Sequence, residues 1–150
     1  MLDKKDVTKC LQYYNAGRYT DAKKVSLQIT KKYPKHPFGW KVLGEVLRRT
    51  GEKAESIIAN KKALSLNPKD AEVHNNLGTV LKELGRLNDA EISLKNAIKI
   101  SPNFAISYYN LGNIYKERGK LENAKLAFKK AISLNSNFVQ AFNNLGNTLR

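Results

Sequence analysis

An all-α solenoid of stacked, antiparallel helix pairs is predicted for this chain of 150 residues by three observations. Gly44, Gly78, Gly112 and Gly146 recur at an interval of 34 residues, each directly after a leucine. A second series, Gly51, Gly85 and Gly119, keeps the same interval. Large apolar residues and alanines fall in phase with both. A period of this length is one helix–turn–helix unit, which buries its apolar face only by stacking on its neighbours.

With the first glycine series numbered as position 8, the units run 37–70, 71–104 and 105–138, with a partial unit at 139–150. Each full unit should hold a helix A over about positions 1–14 and a helix B over about 18–30. Residues 3–36 form a degenerate first unit. There Tyr13, Gly17, Ala22 and Pro34 keep positions 11, 15, 20 and 32, while Asp6, Lys9 and Cys10 replace the usual residues at 4, 7 and 8. Polar groups suit an end unit whose outer face meets water, and Cys10 reads as a small packed residue. Position 4 is Trp40, His74, Tyr108 and Phe142; position 7 is Leu43, Leu77, Leu111 and Leu145; position 11 is Leu47, Leu81, Tyr115 and Leu149. With Phe128 at position 24, these side chains are expected to fill the core around a close helix approach. Glycine at position 8 and alanine at position 20 permit that approach. In the unit 37–70, Ser56 and Asn60 stand at positions 20 and 24, so a looser helix B is expected there.

The helix ends are also written in the sequence. Glycine at position 15 supplies a left-handed helix stop. Asn67-Pro68-Lys69-Asp70 reads as a stop followed by an N-cap. Asn88-Asp89-Ala90-Glu91 reads as a capping box opening a helix B. The unit 139–150 keeps Phe142, Leu145, Gly146 and Leu149 without a helix B to cover them. Such an apolar edge points to a longer array or to self-association.

With Ala63, Ala97 and Ala131 at position 27, and Pro68 and Pro102 at position 32, the pattern resembles the tetratricopeptide repeat (TPR) family over nearly the whole chain. The resemblance implies a right-handed superhelix in which every helix A lines a concave groove. It also implies a non-catalytic scaffold that binds a protein or peptide in that groove.

Positions 2, 5, 6, 9, 12 and 13 share the groove face by helical periodicity. Position 6 is Val42, Asn76, Asn110 and Asn144, and position 5 is Lys41, Asn75, Tyr109 and Asn143. Position 9 is Glu45, Thr79, Asn113 and Asn147. Asparagine thus runs down the groove in register. A carboxamide both donates and accepts, so it can pair with a peptide group. Packed helices about 8–10 Å apart, against roughly 3.3 Å per residue of extended chain, give about one rung every third ligand residue. The candidate site is therefore Asn76, Asn110 and Asn144, with Asn75, Asn113, Asn143, Asn147 and Tyr109 beside them. Lys82 and Lys116 join it from position 12.

The Asn-Leu-Gly-Asn segments at 110–113 and 144–147 resemble those in the TPR superhelix of O-linked N-acetylglucosamine transferase. At 76–79 the segment is Asn-Leu-Gly-Thr. This likeness implies amide-lined groove chemistry and no catalysis. Bacterial arrays of this kind often precede glycosyltransferase or sulfotransferase domains, which makes substrate recruitment for such a domain the alternative expectation. A clamp for a C-terminal carboxylate, known in other family members, would use Lys41 and Asn76, but Glu45, Ile106 and Asn110 break its pattern.

The formal charge of +14 favours an acidic partner and keeps nucleic acid as a further alternative. Many lysines map to helix B, as at Lys23, Lys24, Lys61, Lys62, Lys95, Lys99, Lys129 and Lys130. In the groove, Glu83 and Glu117 accompany Arg48, Lys82 and Lys116. The field is spread and not focused, and a solvated outer surface is favoured over nucleic-acid binding. No cofactor or metal is expected: His36 and His74 lie in different units without partners at ligand spacing. One cysteine, no apolar run of spanning length and no secretory signal after Met1 make the cytoplasm the expected location.

Overall fold

Helix stops recur where the second glycine series stands. In the computed structural model, which describes residues 1–150, Gly17, Gly51, Gly85 and Gly119 all have φ between 72° and 85°. At Gly51 the amide donates to Arg48 O at 3.1 Å, and Glu52 N donates to Leu47 O at 2.8 Å. This paired closure satisfies two orphan carbonyls and reverses the chain within three residues. The same pair of bonds recurs at the other three glycines.

Nine helices result, and no strand. They pair as α1 (Lys4–Asn15) with α2 (Tyr19–Lys32), α3 (Pro37–Arg49) with α4 (Lys53–Leu66), α5 (Ala71–Glu83) with α6 (Leu87–Ile100), and α7 (Ala105–Glu117) with α8 (Leu121–Leu134). Helix α9 (Val139–Leu149) stacks as a fifth helix A. Boundaries fall within one residue of those expected. Side chains cap three of the A helices: Asp3 accepts from Lys5 N, His36 Nδ1 from Phe38 N, and Asp70 from Val73 N at 3.2 Å. Asp70 fulfils the stop-and-cap reading of its loop.

The capping box at Asn88–Glu91 does not form. Helix α6 starts from Arg86 with no side-chain cap. Asp89 is drawn back onto the Arg86 guanidinium at 2.8 Å, and Glu91 reaches across to Tyr115, Lys95 and Arg118.

The close approach at position 8 is real. A Cβ on Gly112 would stand 2.6 Å from the Phe128 ring, and one on Gly78 would stand 2.7 Å from Leu94. Phe128 is fully buried, which is worth about 1.5–3 kcal/mol. Core clusters straddle the pairs: Ile57 of α4 joins Leu77, Val80 and Leu81 of α5, Leu94 of α6, and Leu111 and Ile114 of α7. Cys10 packs in a separate cluster with Ala22, Val25, Ile29, Val42 and Val46.

Two expectations about packing need correction. Helix α4 is not looser than its counterparts. Ser56 and Asn60 are buried, Ser56 Oγ ties it to α3 by donating to Gly44 O at 2.6 Å, and Asn60 Nδ2 donates within α4 to Ser56 O at 2.9 Å. Position 4 is half-buried and does not fill the core. There Trp40 Nε1 donates to Pro34 O, and His74 Nε2 lies 2.9 Å from Pro68 O, so each ring clasps the loop that enters its unit.

Candidate functional site

Helices A of four successive units line one pocket of about 560 Å³. Its walls carry Tyr14 of α1, Lys41, Val42, Glu45 and Arg48 of α3, Asn75, Asn76 and Thr79 of α5, and Ile106 and Asn110 of α7. These are the positions assigned to the concave face, so the structure brings Asn75, Asn76 and Asn110 together as the sequence predicts. Val42, Ile106 and Phe104 give the pocket an apolar floor among polar walls.

The amides are engaged with one another. Asn110 Nδ2 donates to Asn75 Oδ1 at 3.0 Å and to Thr79 Oγ1 at 3.3 Å, while Ser107 Oγ also donates to Asn75 Oδ1. One unit later, Asn144 Nδ2 donates to Asn113 Oδ1 at 2.8 Å and to Tyr109 Oη at 3.3 Å. A single rule governs both: position 6 donates to positions 5 and 9 of the unit before. Asn75 is buried by this bonding. The expectation that each asparagine offers a ligand both donor and acceptor therefore fails at Asn110 and Asn144. Their donors lock adjacent repeats together, and only their carbonyl oxygens face outward without a protein partner. Asn76 escapes the rule, because Lys41 and Glu45, which precede it at positions 5 and 9, are held in ion pairs.

Those ion pairs were invisible in the sequence reading. Lys41 binds Asp70 at 3.0 Å and also Glu72. Arg48 binds Glu45 and, at 2.7 Å, Glu83 of the next unit; Arg49 binds Glu45 at 2.9 Å. Burial would raise the Glu45 carboxyl, but hydrogen bonds from Arg48 and Arg49 outweigh it and hold the group below its ordinary value. At Lys41 burial pushes the ammonium down, but the Glu72 and Asp70 carboxylates outweigh it and hold the group above its ordinary value. Lys82 binds Glu117 at 3.4 Å, repeating the Arg48–Glu83 pairing one unit on. Lys116 has no carboxylate partner. Asn143 and Asn147 on α9 are exposed and lie outside the pocket.

Models of the tetratricopeptide repeat match residues 11–71, 59–92 and 105–138, and a TPR repeat model matches 78–119. The chain belongs to the tetratricopeptide repeat family. Solved TPR-like structures superpose along most of it. The PilF protein of Pseudomonas aeruginosa gives a TM-score of 0.88 at 25% identity, covering 96% of this chain and 66% of that one. MamA of Desulfovibrio magneticus RS-1 gives 0.83 at 20% identity, covering 99% and 85%. YrrB, described as a TPR protein with an unusual peptide-binding site, gives 0.77 at 23% identity, covering 87% and 68%. These likenesses show the TPR solenoid. No curated protein matches the sequence. No helix of the TPR array is long and apolar enough to cross a membrane.

Proposed function

We propose that this TPR array is a non-catalytic scaffold that holds an extended, largely uncharged polypeptide in its concave groove. The observation that carries the reading is the pocket built by helices A of four units, with Asn76 at its centre free to donate and accept. Asn76 would pair with a ligand peptide group, and the outward carbonyls of Asn110 and Asn144 would accept ligand N–H groups further along. Val42, Ile106 and Phe104 would take an apolar ligand side chain beside them. YrrB, described as a TPR protein with an unusual peptide-binding site, supports a peptide as the class of ligand. Every cation of the pocket already faces a carboxylate, so the groove offers little to an acidic chain. A reducing compartment such as the cytoplasm suits this scaffold, whose buried Cys10 thiol is pushed up to about 11 by desolvation.

A titration with neutral, unstructured peptides carrying one bulky apolar residue tests the reading. Asn76→Ala should weaken binding by about tenfold, with circular dichroism unchanged. Unaltered affinity in Asn76→Ala would remove the groove amide from the binding account.

A further inference from the structure

Unpaired lysines and exposed apolar side chains occur together on the opposite face, along helices B. Helices B carry Ile58, Ile92 and Leu126 at one repeat position, and these are 67%, 60% and 70% exposed. In α2 and α4 the residues beyond the first turn include lysines and no carboxylate: residues 22–32 and 56–66 contain none. Lys24, Lys31, Lys61 and Lys62 have no ion-pair partner, unlike Lys41, Arg48 and Arg49 of the groove pocket.

At one seam the apolar side chains become a recess. Between α2 and α4 a trough of about 320 Å³ opens on the convex side. Leu27 and Ile58 form its walls, while Trp40, Leu43 and Leu47 of α3 show through as its floor. The next seams replace Leu27 by Lys61 and Lys95, and Trp40 by His74 and Tyr108, so this trough is the most apolar of the series. It is also polarised. Glu52 and Glu55 border the end where α4 begins. Lys31 and Lys62, on the C-terminal halves of α2 and α4, lie beyond its other end.

We propose that the α2–α4 seam is a second docking site, separate from the groove, for an acidic amphipathic helix of a partner protein. Each of the two helices has 14 residues and is about 21 Å long, and the trough, lined by Lys23 and Leu27 of α2 and by Glu55, Ile58 and Ala59 of α4, receives about two turns of a partner helix. A helix with apolar residues at i, i+3, i+4 and i+7 lays one row over Leu27, Trp40 and Ile58. Carboxylates toward its far end meet Lys31 and Lys62. A lipid surface makes no use of a recess, nucleic acid finds no exposed aromatic platform on these helices, and a second copy brings a like charge of +14. The acidic partner expected from the net charge thus has its complement here and not in the groove.

Trp40, the single tryptophan, reports on the trough directly. The full chain is titrated with a synthetic helical peptide bearing leucines at helical spacing and glutamates elsewhere, following Trp40 emission. A saturable blue shift is expected. Leu27→Glu with Ile58→Glu should weaken it by about tenfold or more, as should Lys31→Glu with Lys62→Glu. Asn76→Ala should leave it unchanged. Three results overturn the proposal: no saturable signal at millimolar peptide, equal binding by a peptide of the same composition with scrambled leucine spacing, or a Trp40 response to phosphatidylserine vesicles but not to the peptide.

Discussion

Gly112 and Gly146 occupy the same repeat position and differ only in what surrounds them. A side chain at Gly112 would enter the Phe128 ring, whereas nothing lies within 4 Å of a Cβ at Gly146. Gly112→Leu should therefore cost about 1–3 kcal/mol in a urea melt. Gly146→Ala should be neutral or gain up to about 1 kcal/mol through helix propensity. Asn60 fills the place of Leu94 and Phe128, yet its Oδ1 is buried without a hydrogen-bond partner. Asn60→Leu should accordingly raise stability by about 1–2 kcal/mol, read as a higher urea midpoint. The glycines were legible in the sequence because steric necessity repeats at a fixed interval. The commitment of the Asn110 and Asn144 donors was not, since their partners sit 31 and 35 residues away among several equivalent amides.

Between elements, α1, α3 and α5 are joined through Glu45, which accepts from Arg48, Arg49 and Tyr14, while Arg48 continues to Glu83. Because the folded-state value of Glu45 lies below its ordinary 4.5, its stabilisation is fully present above that pH. It is lost as pH falls through the lowered value. Thermal melts should therefore drop more steeply with acidification below about pH 4.5 in the parent than in Glu45→Gln. Equal slopes would show that this junction contributes nothing. Helix borders were readable to within one residue, from glycine stops and the Asp70 cap. The capping box was misread because Asn88 lies inside α6, whose N-cap is Arg86, and Glu91 is held by Lys95 and Arg118.

Across the whole molecule, charge is divided by face. The sum of +14 is plain in the sequence, but its partition depends on pairs such as Arg48–Glu83 and Lys82–Glu117, each linking position 12 to position 13 of the following unit. Groove binding of a neutral peptide should then change little between low and moderate salt, measured by calorimetry. A steep loss would mean that the pairs open to engage ligand charge. Extensive packing joins each helix only to its first and second neighbours along the chain. A polypeptide wired this way has no distant segment to wait for while it is being synthesised. Each finished hairpin can serve as the template on which the next one settles as it leaves the ribosome, so assembly can proceed from the amino terminus onward.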